Sequence, residues 1–401
     1  MLRTVLNTAL LAAAVAITGA PARAQVEVTQ LSAPDAFSTP GRMTGLPDDL
    51  WRGTPIETAR KVLPLLAEKP LSPAAAALAR RVLATGAKGP TGSEGDEGLA
   101  GARASALIGL GDVIAAAKIL DRTAALDRSS DLSRAAAEAA LLTGDTARAC
   151  SVADSLSEGR GEAYWLRLRA YCQDLAGQAG QAQLTFDLAQ SQARDATYGR
   201  LMGAKLAGVA GTGAASLRNG LDLALSRDLG LDIAAAKPAP AVAAALSGAE
   251  PPEPDYDVSA IDPDIGGLAS LLRLGMPPPT GVSALVAAAG DADTKARARL
   301  QAAALLVAAL SADLPPEDRA RIAGFATPEG KAPAGRNLAL VEAAAGKRAG
   351  EAALLALWTC AEAGEGGPAL GDRVRIVHAL AAAGLMADAR TFALEGLAGL
   401  K

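Results

Sequence analysis

Few residues of this chain are of the types that carry catalysis or bind metals. His378 is the single histidine in 401 residues, so a catalytic triad with a histidine base must use this one. Apolar residues such as Val374, Val377 and Leu380 surround it on a predicted helix, which favours a packed histidine over a catalytic base. The sequence contains no Gly-x-Ser-x-Gly nucleophile elbow and no His/Cys cluster. We therefore expect no enzyme activity, no metal and no other cofactor; catalysis by carboxylates that the sequence does not reveal is the alternative.

Two glycine-rich stretches do not meet the requirements of phosphate binding. Residues 86–98 lack a preceding strand and a terminal Gly-Lys-Ser/Thr. Residues 211–213 also lack a preceding strand, and Ser216 replaces the third glycine of the dinucleotide fingerprint. We predict a flexible loop for the first stretch and no nucleotide site in either.

Four glycines organise the middle of the chain. Gly111, Gly144, Gly177 and Gly211 follow one another at spacings of 33, 33 and 34 residues, and each separates two apolar, Ala-rich runs. A tight turn between two antiparallel helices favours glycine, which adopts positive φ without a steric penalty. Small residues stand seven positions before and five positions after each glycine, where the two helix backbones come nearest. They are Ala104, Ala137, Ala170 and Ala204 before the glycines, and Ala116, Ala149, Ala182 and Ser216 after them.

Over roughly residues 100–220 this pattern resembles the tetratricopeptide (TPR) family, whose repeats have a small residue in the first helix, a Gly-Asp or Gly-Asn turn and a later alanine. The resemblance implies an all-α fold, an α-solenoid of stacked helical hairpins; a less regular helical stack is the alternative. Phe186 matches the usual aromatic of the second helix, and fainter repeats lie at Gly346 and Gly384. The other positions equivalent to Phe186 depart from the family pattern: they hold Leu120, Ala153 and Gly220.

The chain divides into five predicted segments. Residues 1–24 are a signal peptide, 25–53 an extended lead-in, 54–235 TPR-like helical repeats, 236–280 a Pro-rich acidic linker and 281–401 C-terminal helical repeats. Thr54 and Glu57 are placed as a capping box for the first helix, onto which Trp51 packs. The density of prolines and acids at residues 238–279 predicts a surface linker, interrupted by one short helix at residues 268–274. A Pro-rich docking segment is the alternative.

The N-terminus has the three parts of a secretory signal. Arg3 is the positive region, residues 5–17 are a short apolar region, and Ala22-Arg23-Ala24 is a cleavage site that leaves Gln25 first. We expect export to a bacterial periplasm, with an uncleaved N-terminal anchor as the alternative. No other apolar run approaches the ~20 residues of a membrane span, so no integral span is expected after cleavage. The formal charge of −4 gives no basic face for a nucleic acid, which we exclude as a partner.

The three cysteines, Cys150, Cys172 and Cys360, allow one disulfide in such an oxidising compartment. Cys150 is predicted on the second helix of one hairpin and Cys172 on the first helix of the next. Antiparallel neighbours bring these two together, although the register is off by about three residues, or ~4.5 Å of helix rise. A Cys150–Cys172 disulfide is therefore a hypothesis, set against buried reduced thiols, which the sequence allows equally.

The function that these features favour is a non-catalytic periplasmic scaffold or adaptor. It would bind a protein partner of a cell-envelope machine, such as a flagellar motor, pilus, secretion or division complex, through its solenoid. Trp165 and Arg169 share one face of a predicted helix and are the candidate partner-binding residues, with core packing as the alternative for Trp165. A structural or localisation protein that acts through the Pro-rich segment, and an envelope enzyme with unrecognised carboxylates, are the other functions considered. The oligomeric state does not follow from the sequence.

Overall fold

A computed structural model describes residues 37–400, apart from short gaps at residues 124–125, 212, 258–262, 276–280, 312 and 327. The predicted signal peptide and the first part of the lead-in lie outside the described residues. Those described belong to one compact unit, Pro34–Lys401. They form nineteen α-helices and one short 3-10 helix, with no strand, which confirms the all-α prediction.

The first ten helices cover the predicted N-terminal repeats. They are α1 (Ile56–Glu68), α2 (Pro73–Ala84), α3 (Glu97–Gly109), α4 (Val113–Leu120), α5 (Ser130–Thr143), α6 (Thr146–Ser155), α7 (Ala163–Leu175), α8 (Ala179–Gln192), α9 (Ala196–Leu206) and α10 (Gly220–Asp228). The 3-10 helix, Leu126–Arg128, precedes α5.

The remaining nine helices cover the Pro-rich segment and the C-terminal part. They are α11 (Pro240–Ser247), α12 (Pro263–Arg273), α13 (Gly281–Asp291), α14 (Thr294–Ala308), α15 (Pro316–Ala323), α16 (Ala334–Ala345), α17 (Ala349–Ala363), α18 (Leu370–Ala382) and α19 (Met386–Ala398).

The predicted turn glycines join helices at three of the four positions. Gly111, Gly144 and Gly177 have φ of +82°, +86° and +74°, and each stands between two helices of a hairpin. In the first two hairpins an aspartate, Asp112 or Asp145, follows the glycine. Its side chain accepts a hydrogen bond from a backbone N–H in the first turn of the second helix and so caps that helix. The prediction is wrong at Gly211: α9 ends five residues earlier, and Gly208 has the positive φ instead.

The small residues of the first three hairpins lie where the repeat pattern predicts. Ala104, Ala137 and Ala170 are buried on the first helices, and Ala116, Ala149 and Ala182 are buried on the second helices. Neighbouring hairpins pack in sequence order, with α3 against α5, α4 against α5, and α6 against α7. A larger side chain at these positions would separate the helices, because core packing leaves few voids.

The lead-in is part of the core from residue 37 onward. Phe37, Leu50 and Trp51 are buried, and the Phe37 and Trp51 rings meet edge to face with centroids 5.6 Å apart. Trp51 packs on the start of α17, where a Cβ added to Gly350 would lie 2.7 Å from its ring. The predicted capping box is wrong: Thr54 forms no cap, and α1 begins after Pro55 without a side-chain cap.

The N-terminal and C-terminal helices pack together directly. Helix α1 lies against α17, and α2 lies against both α17 and α19. Arg81 of α2 forms an ion pair with Asp388 of α19 at 2.6 Å. Glu395 of α19 accepts a hydrogen bond at 2.8 Å from the backbone N–H of Ala74, so it caps α2, a role that the adjacent Ser72 side chain does not take.

The Pro-rich segment differs from the predicted surface linker, since it contributes two helices to the fold. Helix α11 begins at Pro240 and α12 at Pro263, because proline has no N–H to lose at a first helical position. Val242 of α11 and Ile265 of α12 are buried. Between these helices, the Tyr256 hydroxyl donates to Glu395 at 3.0 Å. Pro240 and Pro263, two of the prolines taken for helix breakers, therefore start helices.

Asp388 makes the interface between α2 and α19 sensitive to pH. Burial raises the pKa of its carboxyl to about 6, a rise that the neighbouring Glu253 charge reinforces and the Arg81 guanidinium opposes. The folded state therefore holds the proton more tightly than the unfolded chain, whose aspartates titrate near pH 3.9. This contribution to stability is complete below the unfolded pKa and is lost as the pH rises through about 6.

We expect the wild type to gain on the order of 1 kcal/mol of stability from Asp388 when the pH falls from 7.5 to 5. Urea unfolding of the wild type and of the Asp388→Asn variant at both pH values checks this, because asparagine keeps the shape without the titration. If the difference in stability between the two proteins is the same at both pH values, the carboxyl does not titrate in this range.

Candidate protein-binding face

Trp165, the first predicted partner-binding residue, lies in the core. Its side chain is 0 % exposed, and its indole N–H donates to the Ser130 hydroxyl at 2.8 Å. The Tyr164 ring meets it edge to face at 5.0 Å. Trp165 is therefore a packing residue, the alternative that the sequence left open, because α6 and α8 both pack against α7.

Arg169 is half-buried, and its guanidinium is directed at its own backbone. It donates to the carbonyl oxygens of Trp165, at 3.4 Å, and Arg160. Burial and the nearby Arg160 charge lower its pKa. These bonds fix the turn before α7, so Arg169 and Trp165 do not form the exposed pair that the sequence predicts.

Cys150 of α6 and Cys172 of α7 form a disulfide, with Cα atoms 5.6 Å apart. The bond joins two consecutive hairpins and fixes α7 against its neighbour. Cys360 lies buried in α17 as a free thiol, and burial raises its pKa to about 12. A thiol with such a pKa is a poor nucleophile at neutral pH.

Replacing both bonded residues, Cys150→Ala with Cys172→Ala, should lower the free energy of unfolding by about 2–4 kcal/mol, because the unfolded chain gains conformational freedom. Urea unfolding followed by circular dichroism measures the loss. Alkylation of the unreduced, unfolded wild type should label Cys360 alone, whereas three labelled thiols would show that the disulfide does not form.

Helix α8 leaves one side uncovered next to this disulfide-linked pair. Ala182 and Ala189 are buried on its inner side. Gln181, Leu184, Leu188 and Ser191 follow at helical spacing on the opposite side, and all four are exposed; we call these four residues the α8 face. Leu184 is 73 % exposed and Leu188 54 %.

The α8 face lacks the charges that usually cover the solvent side of a helix. Asp187 is the one charged residue among the fourteen of α8. Single exposed leucines are common on protein surfaces, whereas contiguous exposed apolar patches mark interaction sites. The α8 face can therefore contact an apolar surface of another protein.

An ionic cluster behind α8 holds the next helix. Asp195 caps α9 by accepting from the N–H groups of Thr197 and Tyr198 at 3.0 Å each, and it also pairs with Arg218 at 3.0 Å. Burial raises the pKa of Asp195, but the Tyr198 N–H and Arg218 outweigh it, so the pKa lies below its usual range. The carboxylate therefore stays charged, and the cap holds, throughout the neutral pH range.

The α8 face was missed from the sequence because its leucines flank Phe186, the residue that matches the repeat pattern. Phe186 is partly buried against Tyr198, with ring centroids 5.8 Å apart. A stripe of leucines beside a core aromatic indicates a buried helix side by periodicity alone. The scarcity of charge on α8 was the signal that could have identified it.

Other candidate chemistry is dispersed. His378 is exposed on α18, so the prediction of a packed histidine is wrong. Within the described residues, no three His, Cys, Asp or Glu side chains are placed to hold a metal ion. None of the helices in the described part has the length and hydrophobicity needed to cross a bilayer.

Two of the surface concavities border α11. A cavity of about 280 Å³ lies between the start of α4 and the ends of α5, α10 and α11. We call it the α4–α11 cavity. A wider groove of about 490 Å³ lies between the end of α1 and the start of α11, with Glu68, Lys69 and Glu365 along it.

Comparison of the chain with protein-family models, with curated proteins and with solved structures gave no match. The inference of function therefore depends on the residues and their geometry.

Proposed function

We propose that this protein is a non-catalytic scaffold or adaptor of the bacterial cell envelope that binds a protein partner through the α8 face. The observation that carries the proposal is the adjacent pair of exposed leucines, Leu184 and Leu188, on a helix with a single charge. Apolar residues at i and i+4 on one side of a helix match the spacing of a partner helix that packs by ridges into grooves.

We further propose that helices α3 to α8 stack as a TPR-like solenoid of three hairpins. The glycine turns with positive φ and the buried alanines at the repeat positions support it. In such an array the last hairpin has an outer side that no further repeat covers. The α8 face occupies that position, since the repeat pattern ends at Gly211.

A periplasmic location is part of the proposal. The predicted signal at residues 1–24 supports it, as does the Cys150–Cys172 disulfide, because structural disulfides persist in oxidising compartments. The partner would then belong to an envelope machine, such as a flagellar motor, pilus, secretion or division complex.

A crosslinking pull-down from the native envelope, followed by mass spectrometry, tests the α8 face. The variant carries Leu184→Glu with Leu188→Glu, which adds charge to the face while glutamate favours helix. The matched control carries Leu338→Glu with Val341→Glu on α16, where the side chains are 64 % and 55 % exposed.

We expect the α8 variant to lose the partner that the wild type and the α16 control retain, with unchanged circular dichroism in all three. Recovery of the same partner at equal yield by the α8 variant would overturn the proposal.

The alternative contact through the Pro-rich segment has less support. The carbonyl of Pro252 accepts from Arg80 at 3.3 Å, and Tyr256 is bound to Glu395, so this stretch is fixed to the core. Deleting residues 238–279 would also remove the buried Val242 and Ile265, and loss of function would then reflect loss of the fold. Substitution of the exposed Pro252 and Glu253 is the cleaner test of this alternative.

A further inference from the structure

The α4–α11 cavity has both apolar and charged residues in its walls. Its apolar wall is formed by Val113, Ile114, Leu142, Ala245 and Pro251. Val113 and Leu142 also belong to a small separate core with Leu217, Leu223 and Val242, so the apolar wall of the cavity is continuous with that core.

The walls of the cavity are held by close backbone contacts. Gly111, at the turn before α4, approaches α11 so closely that an added Cβ would lie 3.3 Å from the Ala244 Cβ. At the start of α11, the Ala239 N–H donates to the Leu217 carbonyl at 2.9 Å. These contacts hold the turn before α4 and the start of α11 in place around the cavity, and a rigid pocket lowers the cost of ordering on binding.

Two polar groups at the cavity are already occupied by the protein. The Asp112 carboxylate is buried, pairs with Arg42 and accepts from the Ala115 N–H at the start of α4. The Thr143 hydroxyl donates to the carbonyls of Ala139 and Ala140 at 2.9 and 3.1 Å. The hydroxyl proton of Thr143 and the charge of Asp112 are therefore already used within the protein.

Two charged side chains at the cavity are not bound to other described groups of the protein in this way. Arg227, near the end of α10, and Glu250, after α11, both line the cavity and are exposed. Neither side chain forms an ion pair or a side-chain hydrogen bond within the part of the chain that the structure describes. As far as the described residues show, the cavity thus presents the Arg227 cation and the Glu250 anion beside an apolar wall.

We propose that the α4–α11 cavity binds a small apolar zwitterion, an aliphatic amino acid or a dipeptide. Arg227 binds the ligand carboxylate, for which its guanidinium geometry is suited, and Glu250 binds the ligand ammonium group. The aliphatic side chain of the ligand covers Val113 and Leu142. A volume of about 280 Å³ is just below the range of roughly 300–1,000 Å³ for ligand pockets, which suits a molecule as small as an amino acid or dipeptide.

Isothermal titration calorimetry of the full-length protein with L-alanyl-L-leucine tests the proposal. We expect binding in the micromolar to millimolar range, at least tenfold weaker in Arg227→Gln and in Glu250→Gln. The control Glu342→Gln, an exposed residue of α16, should bind as the wild type does. The variant Ala245→Phe, which fills the cavity, should abolish binding.

A second ligand separates the charges from the apolar wall. N-acetyl-L-alanyl-L-leucine amide has the same side chains without either charge, and we expect it to bind at least tenfold more weakly than the zwitterion. If the wild type binds no dipeptide at a ligand concentration of about 10 mM, which is above the expected dissociation constants, the proposal is overturned. Equal binding of the two ligands, or unchanged binding by both charge variants, would also overturn it.

Discussion

The variant Glu395→Ala is expected to lose about 3–5 kcal/mol of the free energy of unfolding, since removal of one partner leaves a buried charge uncompensated. The Glu395 carboxylate accepts from Arg373 at 2.5 Å, from the Ala74 N–H at 2.8 Å and from the Tyr256 hydroxyl at 3.0 Å. The side chains of Arg373 and Glu395 are only 8 % and 11 % exposed.

This single carboxylate joins α18, α19, the start of α2 and the Pro-rich segment. Burial and the Glu395 charge raise the pKa of Tyr256 well above its usual value, so the hydroxyl keeps its proton and donates to Glu395. Losing Glu395 therefore leaves an arginine, a helix N-terminus and a tyrosine hydroxyl without their acceptor.

Urea unfolding followed by circular dichroism measures the effect. Glu395→Gln keeps the shape but only one acceptor oxygen, so we expect an intermediate loss of about 1–3 kcal/mol. The control Glu342→Ala changes an exposed glutamate of α16 that has no ion pair in the described residues, and it should stay within about 0.5 kcal/mol of wild type. Equal stability of Glu395→Ala and the control would contradict this role of Glu395.

The second large effect is expected at Trp165. Trp165→Ala should lower the free energy of unfolding by about 3–5 kcal/mol, because a fully buried tryptophan leaves a cavity that its neighbours fill only in part. The Ser130 hydroxyl also loses the indole N–H that it accepts.

Leu184, which is exposed on α8 of the same hairpin, is the comparison for the buried Trp165. Leu184→Ala should change the stability of the isolated protein by less than about 0.5 kcal/mol, since its side chain buries little surface. Thermal or urea unfolding of the two variants side by side distinguishes them. If Trp165→Ala is as stable as the wild type, Trp165 does not pack as described and becomes a candidate contact residue again.

The local features of the fold could be predicted because they depend on neighbouring residues. Glycine at Gly111, Gly144 and Gly177 follows from the positive φ of a tight turn, and the alanines follow from the near approach of two helices. The prediction was wrong at Gly211 because α9 stops early, at Leu206, and the chain turns at Gly208 instead. A Cβ at Gly211 would lie 2.8 Å from Leu229.

The long-range features could not be predicted, because they join residues far apart in the sequence. Glu395 caps α2 from 321 residues away, and no local pattern marks it. The packing of α1 on α17 likewise depends on the whole fold. Periodicity identified apolar sides of helices, but it did not say which side would be covered. Trp165 was therefore a candidate contact residue with core packing as the alternative, and Leu184 was overlooked.

The measurement that tests the central proposal most directly is site-specific photocrosslinking from the α8 face in living cells. A photoreactive phenylalanine analogue replaces Leu184 in one strain and Leu338 of α16 in another. The proposal predicts a discrete, high-mass adduct with one envelope protein from position 184 and none from position 338. A lack of adduct from position 184 in a correctly exported, folded protein, or the same adduct from both positions, would contradict it.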